Sequence, residues 1–144
     1  MSASARRSWQ RMRALVLDSH DRRPRVVAEL GMSFIRIKAL RQVARGPLTM
    51  TELTERLSTD KPYTTLIVDD LEERGLVERA VSPADRRRKI VTITEAGLAV
   101  FATAERILNE PPAELLALEP AEQAELDRIL AKLAAPSGSA RPGR

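Results

Sequence analysis

A mainly α-helical fold with a small β wing is what this sequence predicts, on three observations. Apolar residues recur at helical spacing through most of the chain, in segments broken by glycine and proline. Two short helices with capping signals follow one another within a few residues. A β-branched run, IVTIT at residues 90–94, sits directly behind four consecutive basic side chains.

Residues 5–19 are expected to form a helix, with Trp9, Met12, Leu15 and Val16 along one side. Asp21–Pro24 interrupts it, and a short segment, RVVAELG, ends at Gly31. Ser33 can cap the next helix, where Phe34, Ile37, Leu40 and Ala44 repeat at helical spacing until Gly46-Pro47 stops it. In TMTE, Thr49 followed three positions later by Glu52 is a capping box, and the helix it opens turns Leu53 and Leu57 inward. Asp60 can cap the helix that follows. Pro62 is tolerated in its first turn because an N–H there has no intrahelical partner. Thr64, Ile67, Val68 and Leu71 share its inner face, and Gly75 ends it. Two short helices joined by so few residues are a helix-turn-helix pattern.

Leu76–Arg79 leads into a turn at Ser82-Pro83, and Val91 and Ile93 alternate along the returning strand. A strand, a basic tip and a returning strand make a wing, so residues 33–97 read as a winged helix-turn-helix. Thr94 caps a further helix with Leu98, Phe101, Ile107 and Leu108 on its apolar side. Pro111-Pro112 breaks it, a short AELLAL segment follows, and a last helix from Glu119-Pro120 carries Leu126, Ile129, Leu130 and Leu133. The winged core is complete without these flanking helices, 5–31 and 95–135. Their surplus apolar surface calls for a second copy, and they are expected to dimerise. Residues 1–135 are read as one domain, and the tail 136–144 (PSGSARPGR) as disordered.

Composition narrows the function. The chain has no cysteine and one histidine, His20, expected to be exposed near a helix break. Disulfides, thiolate metal sites and most nucleophile–base pairs are thereby excluded, and no cofactor or metal is expected. No Gly-rich phosphate loop is present either, so an enzyme has little to stand on. No apolar run approaches the roughly 20 residues that cross a bilayer, nor does the N-terminus resemble a secretory signal; a cytoplasmic protein is expected. Charge is unevenly spread: residues 1–45 sum to +8, 46–94 to −1 and 95–135 to −5. Such a surface meets an anion on one side only.

The stretches GPLTMTELTERL, VDDLEERGLVER and DRRRKIVTITEAG, within residues 33–97, resemble winged-helix transcription regulators of the MarR (multiple antibiotic resistance regulator) type. The last is the most specific. The family's wing carries Asp-x-Arg and then a strand ending in Leu/Ile-Thr-x-x-Gly, here Asp85, Arg87, Ile93, Thr94 and Gly97. The resemblance implies a homodimer joined through its first and last helices, bound to a pseudo-palindromic duplex and acting as a repressor. It further implies release by a small aromatic or phenolic anion. The absence of cysteine excludes the family's cysteine-based peroxide sensing.

On this reading the recognition helix offers Lys61, Pro62, Tyr63, Thr65 and Leu66 to double-stranded DNA. The family usually has arginine where Leu66 stands, and an apolar residue where Thr64 stands. Lys61 can reach a phosphate, whereas Pro62 and Leu66 supply only apolar contact, whose natural partner is the thymine methyl. In the wing, Arg87 suits a narrow minor groove, Asp85 pairs with it or holds the turn, and Arg86, Arg88 and Lys89 alternate in direction along the chain. Trp9, Met12, Phe34 and Phe101 either line an effector pocket or are simply core. The N-terminal arginines Arg6, Arg7, Arg11, Arg13, Arg22, Arg23 and Arg25 meet flanking phosphates or the partner subunit's acidic last helix. The alternative function is a winged-helix protein-interaction module without specific DNA binding.

Overall fold

The computed structural model describes residues 1–135; the expected disordered tail, 136–144, lies outside them. The described residues fall into two compact units, Met1–Glu110 and the segment from Pro111 onward.

In the first unit the N-terminal helix α1 spans Ala3–Arg13, two residues earlier than its apolar pattern begins, because Ser2 Oγ accepts from the N–H groups of Ser4 and Ala5. The helix expected over 5–19 is not α-helical throughout: Ala14–Ser19 is a π-helical turn, closed by the His20 N–H on the Leu15 carbonyl (3.0 Å). His20 itself is half-buried rather than exposed. Helix α2 (Arg23–Leu30) carries proline in its first turn and ends on Gly31 at φ 61°, a left-handed cap. Helix α3 (Phe34–Ala44) buries Ile37, Ala39, Leu40 and Val43. Ser33 does precede it, but its side chain makes no capping bond; Ser33 Oγ instead accepts from the Arg36 guanidinium (2.8 Å).

The winged helix-turn-helix follows as expected, with one addition. Strand β1 (Leu48–Thr49) leads into α4 (Met50–Leu57), whose capping box is formed: the Glu52 N–H donates to Thr49 Oγ1 and the Thr49 N–H to the Glu52 carboxylate. Helix α5 spans Lys61–Glu73, and strands β2 (Val77–Val81) and β3 (Lys89–Ile93) form the wing. The sheet is antiparallel in the order β1-β3-β2, with Leu48 opposite Val91 and Val77 opposite Ile93. A two-residue strand has no alternation to detect, which is why β1 escapes a reading of periodicity.

Helix α6 (Glu95–Leu108) is capped by Thr94 Oγ1, which accepts from the Gly97 N–H and donates to the Gly75 carbonyl. It packs on α2 and α3, and its buried residues are Gly97, Ala104 and Ile107; Leu98, expected inside, is 47% exposed. One core results, drawing Leu53 and Leu57 from α4, Ile67, Val68 and Leu71 from α5, and Val77 and Val91 from the wing. Each such side chain contributes roughly 1.5–3 kcal/mol by leaving water, so the face of α5 that enters this core fixes which residues it presents outward.

The second unit contains α7 (Ala113–Leu116) and α8 (Pro120–Ala134). The Gln123 side-chain amide lies within hydrogen-bond reach of the carbonyls of Leu115, Leu116 and Leu118, satisfying the end of the short helix. Neither helix contains a buried residue. Among the described residues no helix is long and apolar enough to cross a membrane.

Candidate nucleic-acid interface

The start of α5 is held by Asp60, whose Oδ1 accepts from the Tyr63 N–H (2.8 Å). The preceding turn pivots on Ser58 in the left-handed region at φ 52°. Thr64 is fully buried, and its hydroxyl lies 2.9 Å from Thr54 Oγ1, 2.7 Å from Thr59 Oγ1 and 2.9 Å from the Asp60 carbonyl. A polar residue on the inner face is therefore satisfied, and it ties the two helices of the motif together.

With Thr64, Ile67, Val68 and Leu71 turned inward, Lys61, Pro62 and Tyr63 are exposed, Leu66 is 56% exposed, and Thr65 is half-buried. The Thr65 hydroxyl donates to the Lys61 carbonyl (3.0 Å). Farther along the helix the carboxylates are engaged. Asp69 meets Arg79 of β2 at 2.6 Å, and Asp70 meets Arg36 of α3 at 2.8 Å and Arg74 at 2.9 Å. Repulsion of a polyanion by the acidic end is thereby reduced where α5 leaves the surface.

The wing tip is built around Asp85. Its Oδ1 accepts from the Arg87 backbone N–H (3.0 Å) and faces the Arg87 Nε at 3.4 Å; its backbone carbonyl accepts from the Arg88 N–H. Asp85 therefore both holds the turn and pairs with Arg87. The Ser82 N–H closes the tip on the Arg88 carbonyl, and Ser82 is buried beneath it. Arg87 nevertheless projects outward, with 93% of its side chain exposed, and Arg88 is 68% exposed. Arg86 and Lys89 are exposed as well.

Recognition helix and wing face one another across a cleft of about 270 Å³. Lys61 and Thr65 line it on one side, Arg87, Arg88 and Lys89 on the other. Three further residues complete it that sequence reasoning did not single out as contacts: Met50, Thr51 and Arg79, with Thr49 beside them. Thr49 was visible as a cap, but nothing in a linear reading brings the start of α4 or the β2 strand to the recognition helix. Five cationic side chains thus converge on one opening.

The remaining candidates lie elsewhere. Phe34 and Phe101 are half-buried and pack against the core, Met12 is half-buried, and Trp9 is 62% exposed on a helix that buries nothing. Of the N-terminal arginines, two engage carboxylates within the chain and a third a backbone carbonyl. Arg25 meets the Glu110 carboxylate at 2.6 Å, Arg22 donates to the Glu110 carbonyl, and Arg23 pairs with Asp21. The hydrogen bond from Arg25 holds the Glu110 carboxyl below its ordinary range. Among the described residues no group of three or more histidine, cysteine or acidic side chains could hold a metal ion.

A family model described as the MarR family matches residues 30–88. Solved structures agree with this. The YusO protein from Bacillus subtilis is 24% identical, with a TM-score of 0.73, 95% of this chain and 100% of that chain being covered. The transcriptional regulator BldR from Sulfolobus solfataricus is 26% identical with a TM-score of 0.62, over 92% of this chain and 99% of that one. A mutant of MarR from E. coli, solved in complex with operator DNA, is 25% identical with a TM-score of 0.59, over 78% of this chain and 83% of that one.

Proposed function

Since residues 30–88 match a MarR-family model and the chain is similar to solved regulators, one of them in complex with operator DNA, we propose that it is a MarR-type transcription regulator that binds a pseudo-palindromic operator as a homodimer and represses transcription from it. The observation that carries this reading is the cationic cleft between α5 and the wing. Phosphates accept charge-assisted hydrogen bonds from Lys61, Arg88 and Lys89, while the exposed Arg87 reaches into the adjacent minor groove. Asp85, hydrogen-bonded to the Arg87 backbone, pre-sets the loop and lowers the entropy lost when it docks. Arg86 adds charge at the rim.

Support for the homodimer comes from the flanking helices. α1, the π-helical turn that follows it and α8 contain no buried residue, yet they carry Trp9, Val16, Leu130 and Leu133 at 40% exposure or more. The basic N-terminal and acidic C-terminal charge sums complement one another between two copies. A small aromatic anion that enters beside Trp9, Met12, Phe34 and Phe101 shifts the spacing of the two reading heads and releases the duplex. A second reading, a protein-interaction module, is favoured by Leu66, an exposed apolar residue on the recognition helix.

Selection of bound duplexes from a random pool, with the oligomer mass measured alongside, tests the proposal. An enriched inverted repeat and a dimer mass are expected, with affinity falling steeply as salt rises because phosphate contacts release counterions. A monomer with no enriched repeat overturns it.

A further inference from the structure

The outward face of the recognition helix is short of hydrogen-bond donors. Pro62 and Leu66 have no polar side-chain atom. Thr65 donates its hydroxyl proton to the Lys61 carbonyl at 3.0 Å, which leaves its oxygen able only to accept. Thr64 is buried in the turn network. Asp69 and Asp70 could in principle accept from cytosine N4, but Arg79 holds the first at 2.6 Å, and Arg36 and Arg74 hold the second at 2.8 and 2.9 Å. Arg79 lines the cleft, yet it is pinned between Asp69 and Glu72, with only 18% of its side chain exposed. No guanidinium on the helix itself is placed for the paired acceptors of guanine.

Apart from the Lys61 ammonium and the Tyr63 phenol, what the face presents is apolar. Pro62 and Leu66 are one helical turn apart, and Tyr63 is three residues before Leu66, so the three are neighbours on the surface. Tyr63 is 40% exposed and Leu66 56%. Beside this patch lies the cationic cleft, which shares Lys61 and Thr65 with the same helical turns. An apolar face bordered by cations is complementary to a surface that is anionic at its border and apolar within. In the major groove only one base feature is apolar, the C5-methyl group of thymine.

From this we infer that Leu66, with Tyr63 and Pro62 beside it, is the specificity-determining element of the recognition helix and reads C5-methyl groups on pyrimidines. The inference rests on the DNA-binding reading above and deepens it. Affinity comes from the cations of the cleft and the wing; discrimination comes from burying methyl groups against Leu66. Because the contact senses the methyl rather than the Watson–Crick edge, 5-methylcytosine satisfies it as thymine does, and the protein distinguishes methylated from unmethylated cytosine at those positions.

The test uses the duplex enriched from the random pool. Each thymine is replaced in turn by uracil, which removes the methyl and leaves base pairing intact, and Kd is measured for the parent protein and for Leu66→Ala. One or two positions in each half-site are expected to lose about three- to fourfold per methyl, and about tenfold when both half-sites change. Cytosine at these positions should bind weakly, and 5-methylcytosine should recover part of the loss. Leu66→Ala should melt with the parent, bind the thymine duplex less tightly, and no longer distinguish uracil from thymine. Equal binding of every uracil duplex, or a Leu66→Ala protein that still discriminates, overturns the inference while leaving the regulator in place. Failure to enrich any duplex overturns the regulator itself, and this inference with it.

Discussion

Arg87 and Gly97 show how differently two residues of one motif act. The Arg87 guanidinium is almost wholly exposed and, in the described structure, meets only the Asp85 carboxylate at 3.4 Å. An exposed pair of that kind contributes about 0–1 kcal/mol to folding. Arg87→Ala should therefore leave the melting temperature and oligomer mass nearly unchanged while weakening duplex binding at least tenfold in a titration. Undiminished binding would remove the wing from the mechanism. Gly97 does the opposite work. A Cβ there would collide with the Leu76 carbonyl oxygen and lie 2.7 Å from Ile93 Cγ1. Since that carbonyl also accepts from the Thr94 N–H, it has no room to retreat. Gly97→Ala should cost roughly 1–3 kcal/mol, seen as a melting temperature lowered by several degrees, with loss of DNA binding only as far as unfolding explains it.

At the scale of the element, α5 is held by more than its apolar face. Asp70 receives Arg36 from α3 and Arg74 from the C-cap of its own helix, and the Arg74 guanidinium also donates to the Gly31 carbonyl (3.2 Å). One carboxylate thus fastens the recognition helix to α3 and, through Arg74, to the end of α2. The Arg36 side chain is only 19% exposed, so removing its partner strands a largely buried charge. We expect Asp70→Ala to lower stability by about 1–2 kcal/mol in chemical denaturation. Hydrogen exchange should speed up in α5 before it does in α6. Equal protection along α5 in both proteins would show that the apolar face alone holds the helix.

For the whole molecule, charge is the organising variable. Within the first unit, Arg25 and Arg22 close on Glu110, and Arg41 of α3 meets Glu105 of α6 at 2.7 Å. The hydrogen bond from Arg25, followed by its charge and those of Arg22 and Arg106, depresses the folded-state pKa of Glu110 from its ordinary 4.5. A depressed carboxylate contributes stability that is fully present above its unfolded value and lost as the pH falls through its folded one. Glu110→Gln should therefore melt slightly below the parent at pH 7, and the gap should close as the pH is lowered past 4.5 toward 3. A gap that persists at pH 3 would assign the effect to something other than this ion pair.

Much of this was legible in the linear sequence because its causes are local. The capping box at Thr49, the cap at Asp60, the inward set of Thr64, Ile67, Val68 and Leu71, and the wing turn at Asp85 each depend on residues a few positions apart. Helical and strand periodicity then assigns them to faces without a partner in view. Other features needed the chain folded. Strand β1 exists only because Leu48 pairs with Val91, the π-helical turn breaks a pattern that sequence reads as continuous, and Leu98 is exposed although its spacing suits a core. The convergence of Met50, Thr51 and Arg79 on the recognition helix, and the neutralising of Asp69 and Asp70, join residues from separate elements. The sequence by itself determined the motif and the outward face of α5, since short-range sterics and hydrogen bonds suffice for both. Which charges stay free to meet a polyanion was decided only by tertiary structure, because ion pairing depends on distance in space and not on separation along the chain.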